Sequence, residues 1–256
     1  MPNDPKPEVV ADANGRIADV NVTSGESQGE SELEVLLGRI QQASQALDTY
    51  QCELDYIYTQ PLLDSSTRRR GAVYYVQQDT TQSMLRIRFD TIQEDEGDRE
   101  TYREDMTFDG VWWTHLDYRR RSMQKRQLAD ANAPMHAMDL AGQSVPIIGF
   151  QGVERLRKEF VISLPETDES VEDAVKLRLV PKGDPASADY QLVEVWVDKA
   201  SHLPVQVQAQ NINEEIYTLR FLASKVNQPL VDAVFEINVP PGFGEPEIIP
   251  LSPHRQ

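Results

Sequence analysis

Tyr50-Gln51-Cys52-Glu53-Leu54-Asp55-Tyr56-Ile57-Tyr58 decides the fold, because the rhythm of the chain changes here from helical to extended. Cys52, Leu54, Tyr56 and Tyr58 alternate with Glu53, Asp55 and Ile57, so a strand with one apolar face begins at this point. Upstream, Leu33, Leu36, Leu37, Ile40, Ala43 and Leu47 recur at intervals of three and four residues, the stripe of an amphipathic helix. Ser31 followed by Glu34 fits a capping box, so the helix is expected from Ser31 to about Tyr50. Such a stripe must lie on something apolar, and the strands downstream supply it.

Working outward, Pro61 to Arg70 reads as a turn, and Gly71 to Gln77 with Met84 to Thr91 as a strand pair. Glu94 to Asp98 is an acidic loop. Glu104 to Phe108 and Val111 to Tyr118 flank Asp109-Gly110, the strongest short hairpin signal in the chain. A strand over Arg121 to Leu128 follows. Asp130 to Phe150 is irregular and ends in the apolar loop Val145 to Phe150, a buried plug or a flap over a cavity. Val153 to Phe160 reads as a short helix. Further strands are expected at Phe160 to Leu164, Val175 to Pro181, Tyr190 to Val197, Pro204 to Gln210 and Glu215 to Leu222. This is an α+β, mainly antiparallel pattern: a curved sheet forming an incomplete (half) barrel, covered by the N-terminal amphipathic helix and by short helices and loops.

Composition narrows the classes. Among 256 residues, 42 are acidic and 25 basic, a net charge of −17. That field repels phosphate backbones, so nucleic acid is not an expected partner. The longest apolar runs are a few residues, far short of the ~20 that span a bilayer, so an integral membrane protein is not expected either. Cys52 is the only cysteine, which excludes an intramolecular disulfide and a Cys-based metal site. Residues 1–30 carry acidic, polar and Gly/Pro residues without apolar periodicity and read as a disordered leader. Residues 31–245 read as one domain, and 246–256 as a Pro-rich tail. Met1-Pro2-Asn3-Asp4-Pro5-Lys6-Pro7 lacks the apolar core of a signal peptide. Either the protein is cytoplasmic, or the sequence begins after a removed export segment.

No G-x-S-x-G, phosphate loop, H-E-x-x-H or dinucleotide-binding glycine run is present. His115 and Asp117 share a strand face with no nucleophile nearby, and read as a surface pair rather than a dyad. No enzyme, cofactor or metal is expected. The informative residues are aromatic. Trp112, Leu116 and Tyr118 share one strand face, and Val111, Trp113 and His115 the other. Tryptophan on both faces implies that both are covered, or that one lines a ligand cavity. Trp112, with the more apolar neighbours, is expected inward and Trp113 outward. A ligand-binding lining is therefore expected from Leu36, Leu37 and Ile40 on the helix. On the strands it comprises Tyr56, Tyr58, Tyr75, Trp112, Leu116, Tyr118, Trp196 and Tyr217. The basic residues Arg119, Arg120, Arg121, Lys125 and Arg126, like Arg68 to Arg70, are strand-edge charges or a docking patch for an acidic partner or lipid headgroups.

The order of these pieces resembles a known family. The helix ends at Tyr50-Gln51, before a tyrosine-bearing strand, and Phe108-Asp109-Gly110-Val111-Trp112-Trp113 marks a hairpin. Val175 to Lys182, Val195-Trp196-Val197-Asp198-Lys199, His202 to Gln206 and Val239-Pro240-Pro241-Gly242-Phe243 follow. Over roughly residues 31–245 the chain resembles the LolA-like group of LolA, LolB and RseB type. The resemblance implies an incomplete antiparallel barrel whose concave apolar face is covered by helices, in a non-enzymatic periplasmic or cell-envelope protein. In the carriers of that group, the cavity shields lipoprotein acyl chains, which makes an apolar ligand or such a chain the expected partner. The RseB-type members imply a second reading, an envelope sensor or protein-interaction module with an envelope protein as partner. The carriers' Arg-Pro pair after the second strand is absent here, where the chain reads Val76-Gln77-Gln78-Asp79-Thr80.

Overall fold

The N-terminal helix, α1 (Ser24–Gln45), starts well before Ser31. Ser31 and Glu34 therefore lie inside the helix and form no capping box; Glu34 instead pairs with Arg157. The helix also ends before Tyr50, because Asn227 takes over its last turn. The Asn227 side chain donates to Ala46 O at 2.7 Å and accepts from the amides of Asp48 and Thr49 at 2.8 and 3.2 Å. The computed structural model describes residues 24–79, 82–140, 152–165, 171–183 and 188–251, with side chains from residue 29 onward except at 138 and 139.

After α1 come β1 (Thr49–Gln60), β2 (Ser65–Gln77), β3 (Ser83–Glu94), β4 (Glu100–Phe108), β5 (Trp112–Asp117) and β6 (Ser122–Gln127). Helix α2 (Val153–Glu159) leads into β7 (Phe160–Ser163), β8 (Ala174–Pro181), β9 (Leu192–Asp198), β10 (Pro204–Gln210), β11 (Ile216–Val226) and β12 (Glu247–Ile249). Among the described residues these twelve strands form one sheet, in the order β12-β6-β5-β4-β3-β2-β1-β11-β10-β9-β8-β7. Neighbours are antiparallel except β12, which runs parallel to β6. The sheet is open and curved, not closed into a barrel.

Two differences from the sequence reading have simple causes. Pro61 to Arg70 is not a turn throughout: a single 3-10 turn at Pro61–Leu63 and left-handed Asp64 (φ 49°) suffice, and β2 begins at Ser65. Arg68 to Arg70 can occupy a strand because carboxylates on other strands face them, Asp55 of adjacent β1 for Arg68 and Arg70 and Glu104 of β4, one strand beyond β3, for Arg69. The second difference is Glu247–Ile249, which forms the edge strand β12 where a Pro-rich tail was expected. Three residues are too few for a period-two signal to stand out.

Directly opposed residues share a face, so the pairing registers define the two sides. Tyr50, Tyr75, Leu85, Phe108 and Trp113 form one row across β1 to β5. On the other side of β1, Tyr56, Leu219, Val207, Val195 and Leu177 continue the same face. This inner face joins Leu37 and Ile40 of α1, Leu47 just beyond its end and Leu156 of α2 in one apolar core. Gly71 lies on it, opposite Leu54 and Phe89, and a Cβ there would stand 1.7 Å from Arg88 O. The pairing slips at this point, a bulge that only glycine fits.

The outer face is covered too, by the segment after β11. Arg86, nearly buried, donates to Asp105 Oδ1 (2.6 Å) and to the carbonyl of Val234 (2.6 Å) in a 3-10 turn at Asp232–Phe235. Phe243 meets the Tyr118 ring edge-on at 5.4 Å. Burial of Arg86 and Asp105 together, with Nε and Nη2 both donating to Oδ1, offsets both charges, whereas either one alone would be costly.

Candidate functional site

Helix α1 lies on the inner face as a lid. Leu37 and Ile40 are 2% exposed and Leu47 fully buried, while Leu33, Leu36 and Ala43 pack at the margin. Besides this apolar contact, two polar contacts among the described residues join the lid to α2. The Val153 amide donates to Gln41 Oε1 at 2.8 Å, and Arg157 pairs with Glu34. Both Arg157 and Glu34 are largely exposed, so their pair contributes at most about 1 kcal/mol.

Where α1 passes the β7–β8 end of the sheet, a groove of about 330 Å³ opens between them. Val35 and Leu36 of the helix face Leu164 and Val175 across it, with Glu32 and Arg39 at its rim. Val35 is 54% exposed, an apolar side chain left in water at the lip. A wider trough of about 710 Å³ adjoins the groove and shares Glu32, Leu164 and Val175 with it. The pair matches the size of small-molecule sites, which run from about 300 to 1,000 Å³.

At the far end of the inner face lies an aromatic cluster. Tyr58 and Tyr217 stack at 5.0 Å, Tyr190 meets Tyr217 edge-on, and Tyr56 leans on Phe89. Burial pushes the Tyr56 hydroxyl up to about 12. Glu215 closes the cluster, accepting from Tyr58 Oη (2.6 Å), Asn211 Nδ2 (2.7 Å) and Gln60 Nε2 (3.1 Å). Those donors hold its carboxyl below the usual range. Beside the tyrosines, nearly buried Glu104 accepts from Arg69 (3.0 Å) on one oxygen and faces His115 Nε2 (2.6 Å) on the other. The Arg69 guanidinium sits over the rings of Tyr102 and Phe89.

Of the expected lining, Leu36 borders the groove, while Leu37 and Ile40 are buried in the core. Tyr56, Tyr58, Tyr75 and Tyr217 are on the inner face, with Tyr75 Oη 3.1 Å from His136 Nε2. The facing of the tryptophans is reversed. Trp113 stands opposite Phe108 on the inner face, which puts Trp112, Leu116 and Tyr118 on the outer one. Leu116 is fully buried there, opposite Asp105. The apolar neighbours of Trp112 answered to the covered outer face, not to the cavity. Trp196 is also outward, between Lys176 and Gln206, with the Lys176 ammonium 4.9 Å from its ring.

The basic residues do not form one patch. Arg119, Arg120 and Arg121 are exposed at the β5–β6 hairpin, Arg120 lying 3.7 Å from Asp117. Lys125 and Arg126 follow one another on β6 and so leave opposite faces. His115 and Asp117 share a face but not a partner: His115 faces Glu104, and Asp117 accepts from the Arg120 amide. The Val145 to Phe150 loop lies outside the described residues.

Sequence reasoning missed Val35, Leu164 and Val175 at the groove, and Arg69 with Glu104 on the inner face. Glu104 had a usable signal, since it alternates with Tyr102 and Met106 on one strand face. Among the described residues, no group of three or more His, Cys, Asp or Glu could hold a metal ion. No described helix is long and apolar enough to cross a membrane.

No protein-family model and no curated protein matches the chain. Several solved structures are similar in fold. An uncharacterized conserved protein from Thermus thermophilus is 12% identical, covering 86% of this chain and 99% of its own, with a TM-score of 0.49. The MucA/MucB complex from Pseudomonas aeruginosa gives 12% identity, 81% of this chain, 61% of that one and a TM-score of 0.42. A LolA superfamily protein from Nitrosomonas europaea gives 13%, 80%, 97% and 0.33. The likeness to LolA-superfamily and MucB structures is one of fold at low identity, and no ligand or activity passes from them to this chain.

Proposed function

We propose that the protein is a non-enzymatic binder of an apolar ligand of the acyl-chain type, held between the lid helix α1 and the inner face of the sheet. The observation that carries this reading is the groove under α1. It is lined by Val35, Leu36, Leu164 and Val175, opens to water, and is continuous with a core made of the same lid and sheet. An acyl chain entering there gains ~0.8 kcal/mol per buried methylene without any specific polar contact. Among the described residues the lid is held by packing, by two polar contacts to α2 and by Asn227 at its last turn, so displacing it exposes apolar rows already arranged for such a chain. The motif order resembling LolA-type carriers supports the same reading, and with it a location in the cell envelope.

Mass spectrometry under non-denaturing conditions tests this on protein purified without detergent from an envelope fraction. The proposal expects a fraction of molecules heavier by the mass of a lipid, lost on organic extraction. A single unliganded mass, unchanged after incubation with oleate, would contradict it.

A further inference from the structure

The outer face of the sheet carries an open trough of about 690 Å³ across β11, β1, β2 and β3, on the side away from the lid. Its shape follows from small residues and slipped pairing. Ala72, Ala223 and the backbone of Gly71 line it, and registers shift at Gln51/Glu53, Arg70/Gly71 and Phe89/Thr91. Bulges sharpen the local twist, and small side chains leave a depression where the sheet bends.

In a chain of net charge −17, this trough is a local exception. Arg68 and Arg70 of β2, Arg88 of β3, Arg99 of the β3–β4 loop and Lys225 of β11 line it. Among the described residues, Glu53, Asp55 and Asp90 oppose them there. Asp55 is committed to Arg68 through both oxygens (2.7 and 2.5 Å), leaving Arg70 one contact at 3.4 Å. Asp90 holds Arg88 at 3.0 Å. Arg99 and Lys225 are exposed and have no partner among the described residues, and Arg70 keeps free donors.

We infer that this trough is a docking site for an extended acidic peptide segment of a partner protein. Free cations stand toward both ends, Lys225 on β11 and Arg99 beyond β3. The four strands between span three inter-strand spacings, about 14 Å, which a run of four or five extended residues would bridge and a single phosphate would not. Leu222, 46% exposed, and Glu53 also line the trough, offering an apolar and an anionic contact that a polypeptide can use. The overall charge opposes adsorption to an anionic bilayer. The inference concerns the opposite face from the lid groove and does not rest on the ligand proposed there.

The test is fluorescence anisotropy with a fluorescein-labelled decapeptide of alternating Glu and Ser. Two triple variants are compared with the wild type: Arg70→Gln/Arg99→Gln/Lys225→Gln in the trough, and Arg119→Gln/Arg120→Gln/Arg126→Gln at the β5–β6 hairpin and strand. Both remove the same charge, and circular dichroism checks that both fold. Saturable binding, weakened about tenfold by the trough variant and less than about twofold by the other, is expected. Equal weakening by both, or no binding to the wild type, would overturn the inference. So would tighter, trough-dependent binding to phosphatidylglycerol vesicles or inorganic phosphate than to the peptide.

Discussion

Asn227 donates its side-chain amide to the carbonyl of Ala46 at 2.7 Å, tying the end of β11 to the last turn of the lid helix. Its backbone amide donates to Thr49 O at 2.8 Å, and its φ of 52° suits asparagine better than most residues. The junction on which α1 would pivot is thus held by the Asn227 side chain and backbone amide, and by the Thr49 hydroxyl, which donates to Gln228 O at 2.7 Å. Asn227→Ala should lower stability by about 1–3 kcal/mol, from lost hydrogen bonds and left-handed strain. Urea unfolding checks this. Asn227→Gly should recover the strain component and not the hydrogen bonds, and so fall between alanine and wild type.

The packing of the lid divides its apolar stripe into two roles. Leu37 is 2% exposed within the core, so Leu37→Ala should cost about 2–5 kcal/mol. Val35→Ala, at the lip of the groove, should change stability by no more than about 0.5 kcal/mol. Matched denaturation curves that gave both substitutions the same cost would mean that α1 does not seat on the sheet as described.

Cys52 lies on the inner face, 2% exposed, and burial pushes its thiol up to about 12. The thiolate is the reactive form. Ellman's reagent at pH 8 should therefore leave the native protein unlabelled over minutes and label one thiol after denaturation. Rapid native labelling would show that the lid and β1 separate readily.

Asp55 supplies a pH dependence. Burial alone would raise its carboxyl, but the hydrogen bonds and charge of Arg68, with Arg70 behind, hold it below the usual range. A folded value below the unfolded one means that its contribution is complete above the unfolded pKa, near 3.9. That contribution is lost as pH falls through the folded value. Asp55→Asn should therefore destabilise at pH 7 and converge on the wild type as pH falls below the folded value. Equal destabilisation at both ends of an acid titration would assign the effect to packing instead.

Much of this architecture was legible because single elements announce themselves. The period change at Tyr50 to Tyr58, the Asp109-Gly110 hairpin and the helical stripe from Leu33 to Ala43 each depend on local spacing, and each stands where that spacing puts it, although the helix starts earlier and ends before Leu47. Facing and register were less legible. The side on which Trp112 lies depends on Phe108 pairing with Trp113, and its apolar neighbours were explained by a cover arriving more than a hundred residues later. Arg68 to Arg70 looked like a turn because the answering carboxylates, Asp55 and Glu104, belong to other strands. The lid groove was invisible for the same reason: Val35 and Leu164 meet only in three dimensions.

The claim that the lid groove admits an acyl chain is tested most directly by titrating a fluorescently labelled fatty acid into the wild type and into Val35→Glu and Leu36→Glu. Circular dichroism confirms that each variant is folded. Saturable binding to the wild type is expected, weakened about tenfold or more by a carboxylate in the groove, since burying that charge beside the chain is costly. Absence of binding to the wild type, or equal binding to all three proteins, would contradict it.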